Sequence, residues 1–177
     1  FFKACLFLGA GSVMHGNGDE TDIKKLGGLR KEMPWTWATF LVATLAITGI
    51  IPLSGFFSKD AILHGVHHNH LQGLEWVSSF VYYLGLLIAA STAFYMTRMY
   101  LLTFEGPRSK EARVAHAHES AWPMTLPLVV LAVLSVVAAR YAFGINFFDM
   151  TAQPVLENFL SPVFSATKRI TEASTLV

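Results

Sequence analysis

The 37 residues from Pro34 to His70 carry a long apolar run that ends in a lysine and a carboxylate, and no single straight helix accommodates them. As continuous α-helix they would extend about 55 Å at 1.5 Å per residue, against a bilayer hydrocarbon core of about 30 Å. The segment Gly49-Ile-Ile-Pro-Leu-Ser-Gly55 supplies the interruption. Pro52 lacks an amide hydrogen and disfavours helical geometry at Ile51, while Gly49 and Gly55 loosen the same turn, so a break is predicted between residues 49 and 55. Two half-helices result, with Lys59 and Asp60 early in the second. A lysine at membrane depth costs roughly 2.5 to 3.5 kcal/mol even on the lenient insertion scale, so such residues usually line an ion or proton route. Broken helices tolerate them best, because irregular backbone then faces a cavity instead of lipid. The alternative is a plain span from Trp35 to Phe57, with Lys59 and Asp60 simply where the helix meets water.

Composition agrees with a membrane protein. The 177 residues are 53% hydrophobic and 14% charged, and the mean hydropathy of +0.47 is high for a water-soluble domain. The net charge of +1 is spread between apolar blocks, leaving no basic surface suited to nucleic acid. Cys5 is the only cysteine and lies in an apolar run, which excludes an internal disulfide and a multi-cysteine iron-sulfur site.

Four apolar blocks stand out: Phe1 to Met14, Trp35 to about Leu63, Trp76 to Phe104, and Trp122 to Phe143. They predict an all-α membrane bundle of one partial and three complete spans. The first block is too short to cross a bilayer and starts on Phe, so the chain is expected to begin inside a helix as a fragment of a longer protein; no signal peptide is recognisable. The connection His15 to Met33 carries Lys24, Lys25, Arg30 and Lys31, and Glu105 to Ala121 carries Arg108, Lys110 and Arg113, whereas residues 64–75 have no lysine or arginine. The first and third connections therefore face the cytoplasm or mitochondrial matrix, and the second the opposite side. Trp35, Trp37, Trp76 and Trp122 fall near block starts, where amphipathic rings prefer the headgroup layer. Arg98 and Arg140 read as interfacial anchors, and Tyr82, Tyr83, Tyr95 and Tyr100 as packing or belt residues. Residues 145–177 form a separate tail, in which apolar residues from Val155 to Phe164 are interrupted by Pro154 and Pro162. It lies along the outer surface or packs against other parts of the protein.

Several residues are candidates for proton chemistry. Desolvation works against the charged form of Lys59 and a neighbouring carboxylate favours it, opposed effects that make a switchable proton carrier. Asp60, His64, His67 and His68 have the i, i+4, i+7, i+8 relation, so a helical continuation would stack them on one face as an exit path; the other reading is an exposed His-rich loop. Zinc at His64, His67, His68 and His70 is not supported, because neither a ligand geometry nor a second shell of partners can be argued, and no metal is expected. Lys3 heads the first block, followed by the small run Gly9, Ala10, Gly11 and Ser12, which permits close helix packing. Its ammonium either lies in the membrane or snorkels to the surface.

Taken in order, FFKACLFLGAGSVMHG, DIKKLGGLRKEMP, GIIPLSGFFSKDAIL and HESAWPMTLPLVVLA resemble the large antiporter-like subunits of respiratory complex I, the NADH:quinone oxidoreductase, over about Phe1 to Phe164. These are subunit L of the bacterial enzyme and chain 5 of the mitochondrial one. The resemblance implies part of the second half of an inverted-repeat antiporter fold: the end of one channel helix, the discontinuous helix and two that follow. It implies that Lys3 is the intramembrane lysine relaying protons along the central axis, Lys59 the terminal lysine of the broken helix, and Asp60 its acidic neighbour near the exit; His64 is a further candidate from the helical spacing alone. The family's histidine one turn before the Lys3 position would fall upstream of this chain. The glutamate and lysine of the first half-channel and the long lateral helix are also absent. Where the family often has Pro-Pro, this chain has Ile51-Pro52.

The implied function is proton translocation coupled to electron transfer. No cofactor is expected in this chain, since nothing resembles a nucleotide-binding glycine loop. NADH, FMN, iron-sulfur clusters and quinone would belong to other subunits, which with membrane lipids are the expected partners. The implied location is the bacterial inner (plasma) membrane, or the mitochondrial inner membrane in a eukaryote. Competing readings are a large subunit of a multisubunit Na+/H+ antiporter or membrane-bound hydrogenase, and, in another class, a noncatalytic membrane anchor.

Overall fold

The computed structural model describes residues 1–51, 53–68, 75–110, 116–143 and 162, and its described elements are all helical. Five α-helices follow in order: α1 (Phe2–Gly16), α2 (Pro34–Thr48), α3 (Ser54–His68), α4 (Glu75–Tyr100) and α5 (Trp122–Phe143). A 3₁₀ turn, Ile23–Lys25, interrupts the first connection, and α4 ends by widening into a π-helical turn, Leu101–Glu105. Together α4 and its π turn, Trp76–Glu105, are long and apolar enough to cross a membrane. The shorter apolar helices are Pro34–Thr48 and Trp122–Ala138. The predicted surface segment and tail, residues 145–177, lie outside the described residues apart from Pro162, and Arg140 is described in backbone only.

The central helix is α2, which touches all four others. It begins with Pro34 at its first position, where a missing amide hydrogen costs nothing. Against α1 it runs antiparallel: the Ser12 and Thr36 hydroxyls meet at 2.9 Å, and the Phe40 ring lies over Gly9. A Cβ on Gly9 would come within 2.8 Å of that ring. Carried along the same register, Lys3 lies level with about Leu45. The predicted role of the small-residue run is met at Gly9, where absence of a side chain lets an aromatic ring into the helix contact. Cys5, Phe40, Phe104 and Leu128 are fully or almost fully buried at the centre of this packing.

The two charged connections close one end of the bundle. Gly27 (φ +134°) and Gly28 (φ +65°) press on Pro107 and Gly106, and a Cβ on Gly27 would overlap the Pro107 carbonyl oxygen. The Leu29 and Arg30 amides donate to the Thr103 and Phe104 carbonyls at 3.5 and 3.3 Å, satisfying acceptors at the end of the π turn. Glu32 accepts from Arg108 at 3.1 Å and from the Ala117 amide at 2.6 Å, while Arg108 also donates to Asn17 at 3.2 Å. The first and third connections thus share a face, as their lysines and arginines predict.

Candidate functional site

Helix α2 stops at Thr48 because Gly49 adopts the left-handed conformation (φ 87°, ψ 42°), which a side chain would strain. The Gly49 amide donates to Ala46 and the Ile50 amide to Leu45, both at 3.2 Å, the paired bonds of a Schellman termination. They leave the Ile47 carbonyl outside the pattern. Lys59 takes it: its Nζ donates to the Ile47 oxygen at 2.6 Å. A lysine five residues into α3 therefore closes the C-terminus of α2, where the helix dipole concentrates partial negative charge.

Close backbone approach makes this reach possible. Gly55, at the start of α3, packs against the Ala46 carbonyl so tightly that a Cβ there would collide with the oxygen. The Lys59 stem crosses Gly49, where an added Cβ would lie 3.5 Å from Cδ and 3.8 Å from Nζ. Pro52, the residue on which the predicted break leaned most, lies outside the described residues; the described geometry rests on Gly49 and Gly55. The break falls within the predicted interval, and the uninterrupted Trp35 to Phe57 span is excluded. From Pro34 to Ile47 the helix rises about 20 Å, so the Lys59 contact lies at the end of α2 remote from the charged connections.

The other candidates are distributed around this point. Asp60 is exposed on α3, next to Lys59. His64 and His67 lie further along the same helix, both exposed, and the His67 ring approaches Tyr82 of α4 at 5.0 Å. The histidines up to His68 are therefore helical, and the exposed-loop reading of that segment is corrected: α3 continues through them. His70 lies outside the described residues. Lys3 is exposed at the start of α1, at nearly the same depth as the Ile47 carbonyl by the helix register.

Two polar assemblies at the closed end give residues partners that the sequence did not indicate. Tyr100, read as packing, donates to Glu105 at 2.8 Å and accepts from the Trp37 indole at 2.6 Å. Arg30 pairs with Glu105 at 3.2 Å and stacks over Trp37 at 4.5 Å. The second assembly surrounds the N-terminus of α2. Glu119 accepts from the Trp35 amide at 2.8 Å and from the Thr36 hydroxyl at 2.5 Å, capping free donors of the first turn. Ser12 connects Thr36 to Ser120, its hydroxyl 2.7 Å from that of Ser120.

A family described as NADH:quinone oxidoreductase/Mrp antiporter, TM, matches residues 1–87. Residues 1–87 belong to this antiporter-type family. It is 40% identical to NADH-quinone oxidoreductase subunit L of Mycobacterium tuberculosis, over 98% of this chain and 25% of that protein. It is 44% identical to NADH-ubiquinone oxidoreductase chain 5 of Dictyostelium discoideum, over 77% of this chain and 20% of the relative. The chain thus spans about a quarter or less of the length of these antiporter-type relatives. The fold is shared with a chain in the structure of the membrane-bound sulfane sulfur reductase, an archaeal respiratory membrane complex, with a TM-score of 0.66 and 22% identity. That match covers 96% of this chain and 30% of the other. As an antiporter-type membrane segment the chain is embedded in a bilayer, and the broken pair α2 and α3 lies inside the matched region.

Proposed function

We propose that this chain is part of a proton-translocating membrane subunit of an NADH:quinone oxidoreductase, and that Lys59 is the group that takes up and releases the proton. The observation that carries the reading is the Lys59 ammonium on the Ile47 carbonyl inside a helix break. In its charged form Lys59 is attracted to the C-terminal end of α2; a charge at a helix end gains about 0.3 to 1 kcal/mol, and up to about 2 kcal/mol where partly buried. Loss of the proton removes that attraction. A proton given up by the amine passes to Asp60 and then along the α3 face that carries His64, towards the side opposite the charged connections. Lys3, at similar depth on α1, passes charge along the membrane plane.

Hydride and electron transfer, with NADH, FMN, iron-sulfur clusters and quinone, belong to other subunits of the complex. Those subunits and lipid cover α4, almost none of which is covered by the rest of the chain. The membrane is the bacterial inner membrane or its mitochondrial counterpart. The Mrp antiporters in the family description support a second reading, in which the same lysine exchanges protons against sodium.

Lys59→Ala and Lys59→Arg, placed in the full-length subunit within its complex and reconstituted in proteoliposomes, test the proposal. Both variants are expected to assemble and to lose proton pumping, because alanine carries no proton and arginine does not release one. Full pumping stoichiometry in Lys59→Ala would overturn the role. A pumping rate that follows the sodium gradient would favour the antiporter reading, and flux indifferent to both substitutions would favour the anchor.

A further inference from the structure

Hydroxyls in an apolar helix usually turn back onto a carbonyl of the preceding turn, which satisfies them locally. Around α2, Thr39, Thr48, Thr125 and Ser135 do this, at 2.8 to 3.4 Å. A second set does not. The Ser12 hydroxyl bonds those of both Thr36 and Ser120, and Thr36 donates to the Glu119 carboxylate; Ser12 and Thr36 are wholly buried. Thr44, two turns deeper on α2 and 3% exposed, has a buried hydroxyl with no partner. The hydroxyl of Ser54, where α3 begins, is also buried without a partner.

Leaving such a group unmet costs about 1 to 3 kcal/mol, and internal water is the usual remedy. Along α2, Thr44 falls between the connected set, at the end that carries the charged connections, and the Ile47 carbonyl that holds Lys59. Thr36 and Thr44 are about 12 Å apart along the helix axis, a distance that a short file of waters bridges.

We propose that Glu119, Thr36, Ser12 and Thr44 mark a water-filled proton path from the face of the charged connections to Lys59, so that this amine is loaded directly from that side. The inference rests on Lys59 being the proton carrier of the preceding section. Glu119 takes a proton from bulk water. Each hydroxyl or water then accepts one proton while passing its own inward, and the last water protonates the neutral amine. No electrons move, and each bond to hydrogen that breaks is replaced by one that forms.

The test uses Thr44→Val, Glu119→Gln and Lys59→Ala in the full-length subunit within its complex, with Thr125→Val as control. Thr44→Val keeps the shape and deletes a hydroxyl with no partner in the described protein, so a purely structural role predicts unchanged or raised stability and unchanged pumping. The path predicts proton uptake slowed about tenfold in Thr44→Val and Glu119→Gln. This is below the roughly 10²- to 10⁴-fold effect of a positioned proton donor, because water partly substitutes. The Thr125→Val control is expected to pump at the unmodified rate.

If Lys59→Ala loses pumping while Thr44→Val and Glu119→Gln pump normally, the path is wrong and the Lys59 role stands. If Lys59→Ala pumps normally, both fall. Should Thr44→Val fail to assemble, Glu119→Gln alone decides: slowed uptake supports the path, and normal uptake refutes it.

Discussion

The same substitution placed ten residues apart on α3 should have opposite effects. Gly55→Ala puts a methyl group into the Ala46 carbonyl oxygen, where backbone blocks it on the α2 side; Gly65→Ala puts one where nothing lies within 4 Å. Overpacking costs typically about 1 to 3 kcal/mol, and the upper part of that range applies because a carbonyl cannot swing aside as a side chain does. At Gly65 only the helix preference acts, and alanine gains up to about 1 kcal/mol over glycine in a helix interior. The two variants should therefore differ by about 2 to 4 kcal/mol in opposite directions from the unmodified protein. Equilibrium unfolding in mixed micelles measures this difference. Proton pumping adds a second readout, because displacing α3 draws Lys59 away from the Ile47 oxygen while no titratable group is altered. Equal stability and equal pumping in the two variants would refute the tight crossing of the half-helices.

Phe40→Ala empties the centre of the bundle, where the ring meets Gly9 and lies 5.3 Å from the Phe104 ring; a loss of about 3 to 5 kcal/mol is expected in the same unfolding measurement, and a loss under about 1 kcal/mol would contradict the described core. Cys5 is 0% exposed, with Sγ 3.6 Å from the Leu128 carbonyl oxygen. A maleimide should leave it unlabelled in native membranes and label it after unfolding; rapid native labelling would show α1 packed differently.

The sequence was most informative where the determinants are local. Helix positions followed from apolar blocks, the shared face of two connections from their lysines and arginines, and the break from Pro52 with Gly49 and Gly55 a few residues to either side. Even there, Pro52 drew attention, whereas the contact that brings Lys59 to Ile47 needs Gly55 against Ala46, a tertiary fact. Lys59 was legible as a charge beside a breaker; its carbonyl partner was not. The Glu119 cap of α2 joins residues more than 80 positions apart, and the nearest local sign, an acidic residue ahead of Trp122 and Pro123, points to α5. Tyr100 reads as one more aromatic residue at the end of a span, because its partners Trp37 and Glu105 come together only after folding. The π turn has no sequence signature in Leu101–Glu105, and its end is satisfied by amides from a connection some 75 residues earlier.

The glycine contact between the two connections bears on mechanics. Gly27 and Gly28 lie directly on Gly106 and Pro107, with no layer of side chains to act as a cushion. A push on this rim has nothing soft to compress there. Any displacement of the turn that follows α4 therefore meets the connection leading into α2 backbone against backbone, with no side-chain rotamer between them to absorb it.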